Sequence, residues 1–285
     1  MAEAQIIVTD LAKEFRVRKR GEGLSGAVKS LFSREYTTVQ AVNNISFTIN
    51  RGEMVGYIGP NGAGKSTTIK MLTGILLPSG GTIEVAGRDP FRERKENAAT
   101  IGVIFGQRSS LWWDIPARES FTLLKAIYRI PEETYRANLA LFTELLDMEE
   151  FLGTPVRKLS LGQKMRCEIV AALLHDPEIL YLDEPTIGLD AVSKEAIRAF
   201  IKEVNRKRTT TVLLTTHDLD DIEEICSRIM IIDHGNLLYD GRLDAFKKKM
   251  LDSRTLTVDF RTPVTATALK TCLNLGEDLL ALKRE

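Results

Sequence analysis

The chain has 285 residues, its 39 Lys and Arg balance 39 Asp and Glu, and 44% of its residues are hydrophobic. This length suits one large or two small domains, and this apolar share excludes a wholly disordered chain. A formal net charge of zero provides no general attraction to nucleic acid or to an anionic membrane surface.

Three cysteines, Cys167, Cys226 and Cys272, lie far apart in the sequence. They cannot all pair, so a disulfide scaffold is excluded and a reducing compartment is expected. The longest apolar runs are much shorter than the roughly 20 residues of a membrane-spanning helix, and residues 1–10 lack the pattern of a signal peptide. We therefore expect any role at a membrane to be exerted from the cytoplasmic side through a partner.

The N-terminal part alternates short β-like runs with turn residues. Strands are predicted over residues 6–8, 45–49 and Met54–Ile58. Residues 16–35 are basic and contain glycine, and they are predicted to form an inserted loop with a short helix around residues 27–32.

The central part changes from a strand pattern to a helical one. Strands are predicted over residues 82–85 and 101–105. Apolar residues then recur at helical spacing from Ala117 to about Leu152, in two runs that Pro131 separates. This block is expected to be a small helical subdomain inserted between strands.

The C-terminal half returns to alternating helices and strands, which is typical of a parallel sheet with helical crossovers. The predicted helices cover residues 161–175, 194–207 and 219–227, and the predicted strands cover residues 179–182, 211–215 and 229–232. A hairpin turn is predicted at residues 233–236 and a short basic helix at residues 243–250. The tail is predicted to hold one strand, over residues 256–260, and a weak helix.

A glycine-rich turn between a predicted strand and a helix over Lys65–Leu72 matches the pattern G-x-x-x-x-G-K-S. Glycines let backbone N–H groups approach the oxygens of a nucleoside triphosphate, and the helix directs its positive dipole end at the same charge. Lys65 is expected to neutralise the β- and γ-phosphates, and the Ser66 hydroxyl is expected to ligate Mg²⁺. The candidate nucleotide-binding residues of this loop are Gly59, Pro60, Asn61, Gly62, Ala63, Gly64, Lys65, Ser66 and Thr67.

Two carboxylates, Asp183 and Glu184, follow the apolar run of residues 179–182. Ligands of parallel sheets bind at the carboxyl ends of the strands. Asp183 is therefore placed to hold Mg²⁺, directly or through water, and Glu184 is placed to polarise the attacking water. His217 follows the run of residues 211–215 and is predicted to stand at the same edge, beside the γ-phosphate.

The stretch Leu-Ser-Leu-Gly-Gln at residues 159–163, together with the phosphate loop, resembles the signature motif of ABC-type ATPases. The resemblance covers roughly residues 5–245. It implies an α/β fold of the P-loop NTPase type: a RecA-like parallel sheet with flanking helices, an antiparallel β subdomain and an inserted α-helical subdomain. Residues 1–250 would form the nucleotide-binding domain with its helical subdomain at about 108–160, followed by an extension of residues 251–285.

The resemblance implies further site residues. Tyr36 resembles the aromatic residue that stacks on adenine, and Gln107 resembles the glutamine that senses Mg²⁺ and the attacking water. Asp190 resembles part of the loop that crosses to a partner subunit. The family's commonest signature has Gly where this chain has Leu161. The signature residues implied to bind the nucleotide held by the other copy are Ser160, Gly162 and Gln163.

The resemblance also implies a head-to-tail dimer with two ATP molecules sandwiched between the copies. The helix that begins near Leu161 would present N–H groups and its positive dipole end outward. Within one chain, that end would lie too far from the phosphate loop to close on it. ATP binding would then drive closure of the dimer, and hydrolysis would release it.

Four features resemble the ATP-binding subunits of ABC-2-type exporters, most closely a group that includes multidrug and viologen exporters. They are the single nucleotide domain without a fused membrane span, the Trp-Trp-Asp-Ile-Pro stretch of residues 112–116, the insertion of residues 16–35 and the stretch of residues 186–190. The resemblance implies integral-membrane permease partners and a peripheral location on the cytoplasmic face of the cell membrane. Trp112 and Trp113 would either grip a permease or pack within the helical subdomain, and the basic insertion would either meet anionic lipid or be solvated.

The main alternative is a soluble ABC ATPase that acts on DNA or ribosomes. Such chains usually carry a long coiled-coil insertion or two nucleotide domains, whereas only about 50 residues separate Gln107 from Ser160. A third hypothesis is a nucleotide-gated binding module without hydrolysis, which the presence of Glu184 and His217 argues against. The sequence thus predicts an ATPase with ATP and Mg²⁺, working as a homodimer or with a paired nucleotide-binding subunit, and no nucleic-acid partner.

Overall fold

The computed structural model describes residues 3–18, 36–106 and 109–251, with the backbone alone for residues 18, 250 and 251. The described strands are β1 (Ala4–Arg18), β2 (Tyr36–Asn50), β3 (Met54–Ile58), β4 (Gly80–Val85), β5 (Ile101–Phe105), β6 (Ile179–Asp183), β7 (Thr211–Thr215), β8 (Arg228–Asp233) and β9 (Asn236–Arg242). The described helices are α1 (Lys65–Leu72), α2 (Arg94–Thr100), α3 (Ala117–Tyr128), α4 (Glu132–Leu145), α5 (Leu161–Leu173), α6 (Ala191–Arg208), α7 (Leu219–Ile225) and α8 (Leu243–Leu251), with a 3₁₀ turn at Val156–Lys158.

Contacts along the backbone divide the chain into two units, Met1–Phe246 and Lys247–Glu285. Both sheets belong to the first unit, and so do all the candidate site residues that the structure describes. The tail strand predicted over residues 256–260 and the weak helix after it lie outside the described residues. Along the described ranges, no helix combines the length and the apolar character that crossing a membrane requires.

A six-stranded sheet in the order β5-β6-β7-β3-β8-β9 forms the centre of the first unit. All its strand pairs are parallel except β8 with β9. The four residues Ile179–Leu182 of β6 and all of β7 are buried, because helical crossovers cover both faces of such a sheet. This burial explains why both strands appear in the sequence as continuous apolar or small runs.

A second, antiparallel sheet in the order β2-β1-β4 packs on a separate apolar cluster with α1. Strand β1 is longer than predicted, since Arg16 pairs with Thr38, Val17 with Thr37 and Arg18 with Tyr36. The prediction of a loop from Arg16 onward is therefore wrong for residues 16–18. Residues 14–17 of this strand are exposed on both faces, so no apolar alternation marks this part of it. Residues 19–35, with the predicted short helix, lie outside the described residues.

Helices α3 and α4 occupy the predicted helical block. Arg129 ends α3 in a left-handed conformation, and Pro131 is the N-cap residue of α4, so the break at Pro131 is confirmed. Phe121 and Phe142 are fully buried. The Phe142 ring meets Phe200 of α6 edge-on at 5.4 Å, which fixes the block against the helix that follows the carboxylates.

Candidate active site

The glycine-rich turn runs from the end of β3 into α1, and its glycines are required by packing. A Cβ atom on Gly59 would lie 2.1 Å from the carbonyl oxygen of Ile232, and one on Gly64 would lie 2.4 Å from that of Ala41. Gly64 also has a φ of 112°, a left-handed conformation that favours glycine. These glycines therefore let the turn lie directly on the neighbouring backbone.

The ammonium group of Lys65 lies within this turn. It donates hydrogen bonds to the carbonyl oxygens of Gly59 at 2.5 Å and Pro60 at 3.0 Å, and the residue is only 8% exposed. Behind it, Thr68 donates its hydroxyl to the carbonyl of Gly64, which closes the first turn of α1. The helix N-terminus and a positive charge are thus held at one place.

A cleft of about 380 Å³ brings the glycine-rich turn and the carboxylates together. It is lined by Asn61, Ser66, Lys70, Ile75, Phe105, Gly106, Asp183 and Glu184. The structure therefore unites Ser66 of the turn with the two carboxylates that follow β6, as the sequence predicts. A hydroxyl, two carboxylates and a helix N-terminus around one cleft can hold a polyphosphate and a hard cation.

Asp183 ends β6 beside the last residue of β7. The hydroxyl of Thr215 donates to Asp183 Oδ1 at 2.6 Å. Glu184 follows with a φ of 54°, and its N–H donates to the main-chain oxygen of Thr215 at 2.9 Å. Because Glu184 has this left-handed conformation, the two neighbouring carboxylates point in different directions, and both still line the cleft.

His217 lies beside Glu184, with 3.6 Å between His217 Nδ1 and Glu184 Oε1. The His217 side chain is 65% exposed, against 25% for Glu184. Both residues thus lie at the carboxyl edge of the central sheet, where the sequence places them. His217 is outside the lining of the cleft.

The signature stretch forms the start of α5. Ser160 Oγ accepts the N–H of Gln163 at 3.2 Å, and Gln163 Oε1 accepts the N–H of Ser160 at 3.0 Å, so the two residues make a capping box. The Gln163 side chain is therefore engaged with its own helix. Gly162 is tightly packed, because a Cβ there would lie 2.4 Å from Ser193 Oγ.

Asp190 caps α6 next to the signature stretch. Its carboxylate accepts the N–H of Ser193 at 2.8 Å and the Ser193 hydroxyl at 3.0 Å. The hydrogen bond from the Ser193 N–H, followed by that from the Ser193 hydroxyl, lowers the pKa of Asp190. Ser193 therefore connects Asp190 to the close-packed Gly162.

Glu168 of α5 holds the residues that follow the candidate Gln107. Its carboxylate accepts the Ser109 hydroxyl and, at 2.9 Å, the N–H of Ser110. Glu168 is only 4% exposed, and burial raises its pKa although the Ser109 hydrogen bond opposes the shift. Gln107 itself lies outside the described residues.

Several predicted site residues are separate from the cleft. Tyr36 stands at the start of β2 with its side chain 52% exposed. Of the predicted loop residues, Asn61 and Ser66 line the cleft. The predicted site residues of the described ranges that belong neither to the loop nor to the cleft lining are Tyr36, Ser160, Gly162, Gln163, Asp190 and His217. The structure therefore divides the predicted site into two parts within a single chain.

Comparison with known proteins places the chain in a family. Residues 42–187 match the ABC transporter family. The chain is 31% identical over 240 residues to the ABC transporter ATP-binding protein NatA of Bacillus subtilis, an alignment that covers 84% of this chain and 90% of NatA. The chain belongs to the ABC transporter family. A second ABC relative, the bacitracin transport ATP-binding protein BcrA of Bacillus licheniformis, is 33% identical over 217 residues, with 76% of this chain and 70% of BcrA covered.

A solved ABC cassette has the same fold. This dimeric ATP-binding cassette, in a post-hydrolysis state with ADP and Pi, is 26% identical with a TM-score of 0.68, and the match covers 84% of this chain and 98% of the cassette. The predicted α/β P-loop NTPase fold is confirmed. The chain is an ATP-binding and ATP-hydrolysing subunit of the ABC transporter family, so the prediction of a transporter ATPase is confirmed over the soluble alternative.

Three supporting residues of this ABC subunit were missed by sequence reasoning: Thr215, Ser193 and Glu168. Thr215 and Glu168 act on loops far from them in the sequence, and no local pattern indicates such contacts. Ser193 had an indirect local signal, because Asp190 is a preferred N-cap residue type and such a side chain accepts the N–H of the second or third helical residue.

Proposed function

We propose that two copies of this chain, or this chain and a paired nucleotide-binding subunit, close head to tail around two ATP molecules and so drive the permeases of an ABC-2-type exporter. The observation that carries this proposal is the division of the site. Asn61 and Ser66 of the phosphate loop share one cleft with Asp183 and Glu184, whereas Ser160 is exposed and outside it. Each cleft is then completed by the Ser160 end of another subunit.

Exposed apolar side chains near the signature stretch support closure against a partner. Leu161 is 51% exposed, Ile187 37% and Val192 72%. Leu161 also lies against the loop that carries Asp190, since its Cδ2 is 3.2 Å from the position of a Cβ on Gly188. Burial of these side chains in a dimer would add to the free energy of closure.

In the proposed reaction, Lys65 exchanges the carbonyls of Gly59 and Pro60 for phosphate oxygens. Glu184 accepts a proton from the attacking water, and His217 orients Glu184 and contacts the γ-phosphate. Tyr36 supplies an exposed ring for stacking on adenine.

The remaining nucleotide contacts are assigned to the loop and signature residues. The loop residues proposed to surround the phosphates are Pro60, Asn61, Gly62, Ala63, Gly64, Ser66 and Thr67, of which Asn61 and Ser66 line the cleft. From the partner, Ser160, Gly162, Gln163 and Asp190 complete the enclosure. Gln107 is assigned to sensing the water and the cation.

The residues at the cleft fit Mg²⁺. Hydroxyl and carboxylate oxygens are the ligands that Mg²⁺ prefers, and Ser66 and Asp183 both line the cleft. Ser66 and Asp183 would hold the cation, with Gln107 as a further contact. When bound, Mg²⁺ would neutralise charge on the β- and γ-phosphates.

A permease partner is supported by the exposed tryptophans. Trp112 is 41% exposed and Trp113 55%, and the Trp113 ring lies 5.0 Å from the ammonium of Lys164. Exposed aromatic side chains of this kind are enriched where proteins bind each other. The subunit would then sit peripherally on the cytoplasmic face of the membrane, with residues 1–250 as the nucleotide-binding domain, about 108–160 as its helical part and 251–285 as an extension.

Replacement of Glu184 by Gln tests the proposed head-to-tail dimer. This substitution keeps the shape of the side chain but removes the proposed base, so ATP and Mg²⁺ are expected to trap a dimer. Light scattering after size-exclusion chromatography measures the mass, and the double variant with Lys65→Ala is the matched control that stays monomeric. A Glu184→Gln variant that stays monomeric at high concentration with ATP and Mg²⁺ would contradict the head-to-tail dimer.

Purification from membranes tests whether the chain binds a permease. The full chain with an affinity tag is expected to bring down integral-membrane permease chains, which mass spectrometry identifies. Trp112→Ala and Trp113→Ala together are expected to reduce that recovery, whereas Leu238→Ala, at an exposed apolar residue of β9, is not. Recovery of ribosomes or DNA in place of permeases would favour the soluble alternative.

A further inference from the structure

A fully buried carboxylate, Asp221 of α7, lies behind the candidate active site. Its exposed fraction is 0%. Asp221 Oδ2 accepts the hydroxyl of Thr186 and, at 3.0 Å, the hydroxyl of Thr216. Asp221 Oδ1 accepts Nε of Arg198 at 2.6 Å. Each of these three partners is itself at least nine-tenths buried.

The partners of Asp221 belong to three segments that carry candidate site residues. Thr186 closely follows Glu184, and Thr216 immediately precedes His217. Arg198 belongs to α6, the helix that Asp190 caps. A single buried side chain therefore connects the backbone behind Glu184, the backbone before His217 and the helix that begins at Asp190.

Further charged side chains near Asp221 extend its hydrogen bonds into a network. Arg198 also donates to Glu224 at 2.9 Å, and Lys194 donates to Asp218 at 2.5 Å. Burial acts to lower the pKa of Arg198, but the hydrogen bond to Asp221 and the charges of Asp221, Glu224 and Asp218 together outweigh it, and the net shift is upward. A buried carboxylate requires such pairing, because an isolated buried charge is strongly disfavoured.

We propose that Asp221 is a positioning residue for ATP hydrolysis. Through the hydroxyls of Thr186 and Thr216, it holds Glu184 and His217 at fixed positions relative to each other. The inference rests on the proposed roles of Glu184 and His217. Asp221 does not line the cleft, so it acts through its neighbours. Asp221 Oδ2 accepts hydrogen bonds from both threonine hydroxyls, and Asp221 Oδ1 accepts one from Arg198 Nε.

The threonines allow a test that leaves the buried charge pair intact. Thr186→Val and Thr216→Val remove one hydroxyl each at almost constant volume, whereas Thr186→Ser and Thr216→Ser keep the hydroxyl. Glu224→Gln is the matched control, because it changes the outer partner of Arg198 and leaves the Asp221 contacts unaltered. All variants are made in the full chain, in the transporter complex where the purified subunit is inactive.

Steady-state ATP hydrolysis separates positioning from a merely structural role. The Val variants are expected to lower kcat by about 10- to 100-fold, the effect that a misplacement of roughly 1 Å can produce. We expect KM for ATP to stay close to that of the unmodified chain, since the phosphate loop is untouched. The thermal midpoint is expected to fall by only a few degrees, because each variant loses one hydrogen bond to a buried carboxylate. The Ser variants and Glu224→Gln are expected to retain kcat within about twofold of the unmodified chain.

Two results would overturn the inference. Val variants with unchanged kcat, or with kcat, KM and thermal midpoint all impaired and no rescue by Ser, would show that Asp221 does not position the site. Glu184→Gln, measured in parallel, distinguishes a failure of the proposed catalytic assignment from a failure of the positioning role of Asp221. If Glu184→Gln hydrolyses ATP normally, the proposed catalytic assignment fails and the inference with it. If Glu184→Gln is inactive while the Val variants are fully active, the positioning role alone fails.

Discussion

Thr215 and Asp183 are joined by a 2.6 Å hydrogen bond in which the Thr215 hydroxyl donates to the carboxylate. The same hydroxyl accepts the N–H of Glu184 at 3.2 Å. One side chain at the end of β7 thus holds both the carboxylate of Asp183, the last residue of β6, and the backbone N–H of Glu184. Because parallel strands end at one edge of the sheet, a residue of the neighbouring strand is well placed to set the geometry of the cleft.

Replacement of Thr215 by Val is expected to impair both stability and hydrolysis. Thr215 is fully buried, and Val preserves its volume while leaving Asp183 without this donor. A lost hydrogen bond to a charged group costs about 1–3 kcal/mol. Denaturant unfolding measures the loss of stability, and ATP hydrolysis over a range of Mg²⁺ concentrations is expected to show a higher half-saturating concentration. Thr215→Ser retains the hydroxyl and is expected to restore the Mg²⁺ dependence, so a Ser variant as impaired as Val would contradict this explanation.

Replacement of Gly59 by Ala is expected to distort the phosphate loop. The new Cβ would lie 2.1 Å from the carbonyl oxygen of Ile232, and backbone cannot yield as a flexible side chain can. Overpacking of this kind typically costs about 1–3 kcal/mol. Gly153→Ala is the control, because among the described residues no atom beyond its two chain neighbours lies within 4 Å of its Cβ position. Thermal unfolding and binding of a fluorescent ATP analogue are the measurements, and a Gly59→Ala protein with normal values of both would show that the loop tolerates the shift.

Buried elements with strong local signals could be predicted from the sequence. Strands β6 and β7 are continuous apolar or small runs because helices cover both their faces, and the turn before Lys65 has a pattern that the phosphate-binding chemistry requires. The helix predicted over residues 194–207 begins earlier, at Ala191, because the Asp190 side chain caps it. The helix predicted over residues 161–175 ends at Leu173, which is the usual uncertainty of a helix end.

Elements that gain their stability from distant contacts could not be predicted. Helix α2 (Arg94–Thr100) buries only Asn97, so it has no apolar periodicity to indicate it. The exposed end of β1 is held by its pairing with β2. No local sequence pattern indicates that pairing. The contacts of Glu168 with Ser109 and Ser110 likewise join residues about 60 positions apart. The sequence therefore identified the candidate catalytic residues but not the side chains that orient them.

Replacement of Lys65 by Ala is expected to abolish ATP binding. Its ammonium is enclosed by the turn, and its removal leaves the phosphate charge to Mg²⁺, the helix dipole and backbone N–H groups. Equilibrium binding of ATP with Mg²⁺ is the measurement, and Lys95→Ala, an exposed residue of α2, is the control that binds normally. Micromolar affinity retained by the Lys65→Ala chain would remove Lys65 from its assigned role.

Replacement of Glu168 by Gln is expected to change how stability depends on pH. Burial raises the pKa of Glu168 above its ordinary value of 4.5, so between the unfolded and folded pKa values the native state binds more protons than the unfolded state. Stability contributed by this group is therefore greatest below the unfolded pKa and falls as pH rises through that window.

The measurement is the free energy of unfolding of both proteins by denaturant, at several pH values from about 4.5 upward. The unmodified chain is expected to lose stability relative to Glu168→Gln as pH rises. Ser109→Ala removes a hydrogen bond that lowers the pKa of Glu168, so this variant is expected to extend the loss to higher pH. A difference between the two proteins that stays constant, or that grows in favour of Glu168 as pH rises, would mean that its carboxylate is better solvated or better paired than its burial indicates.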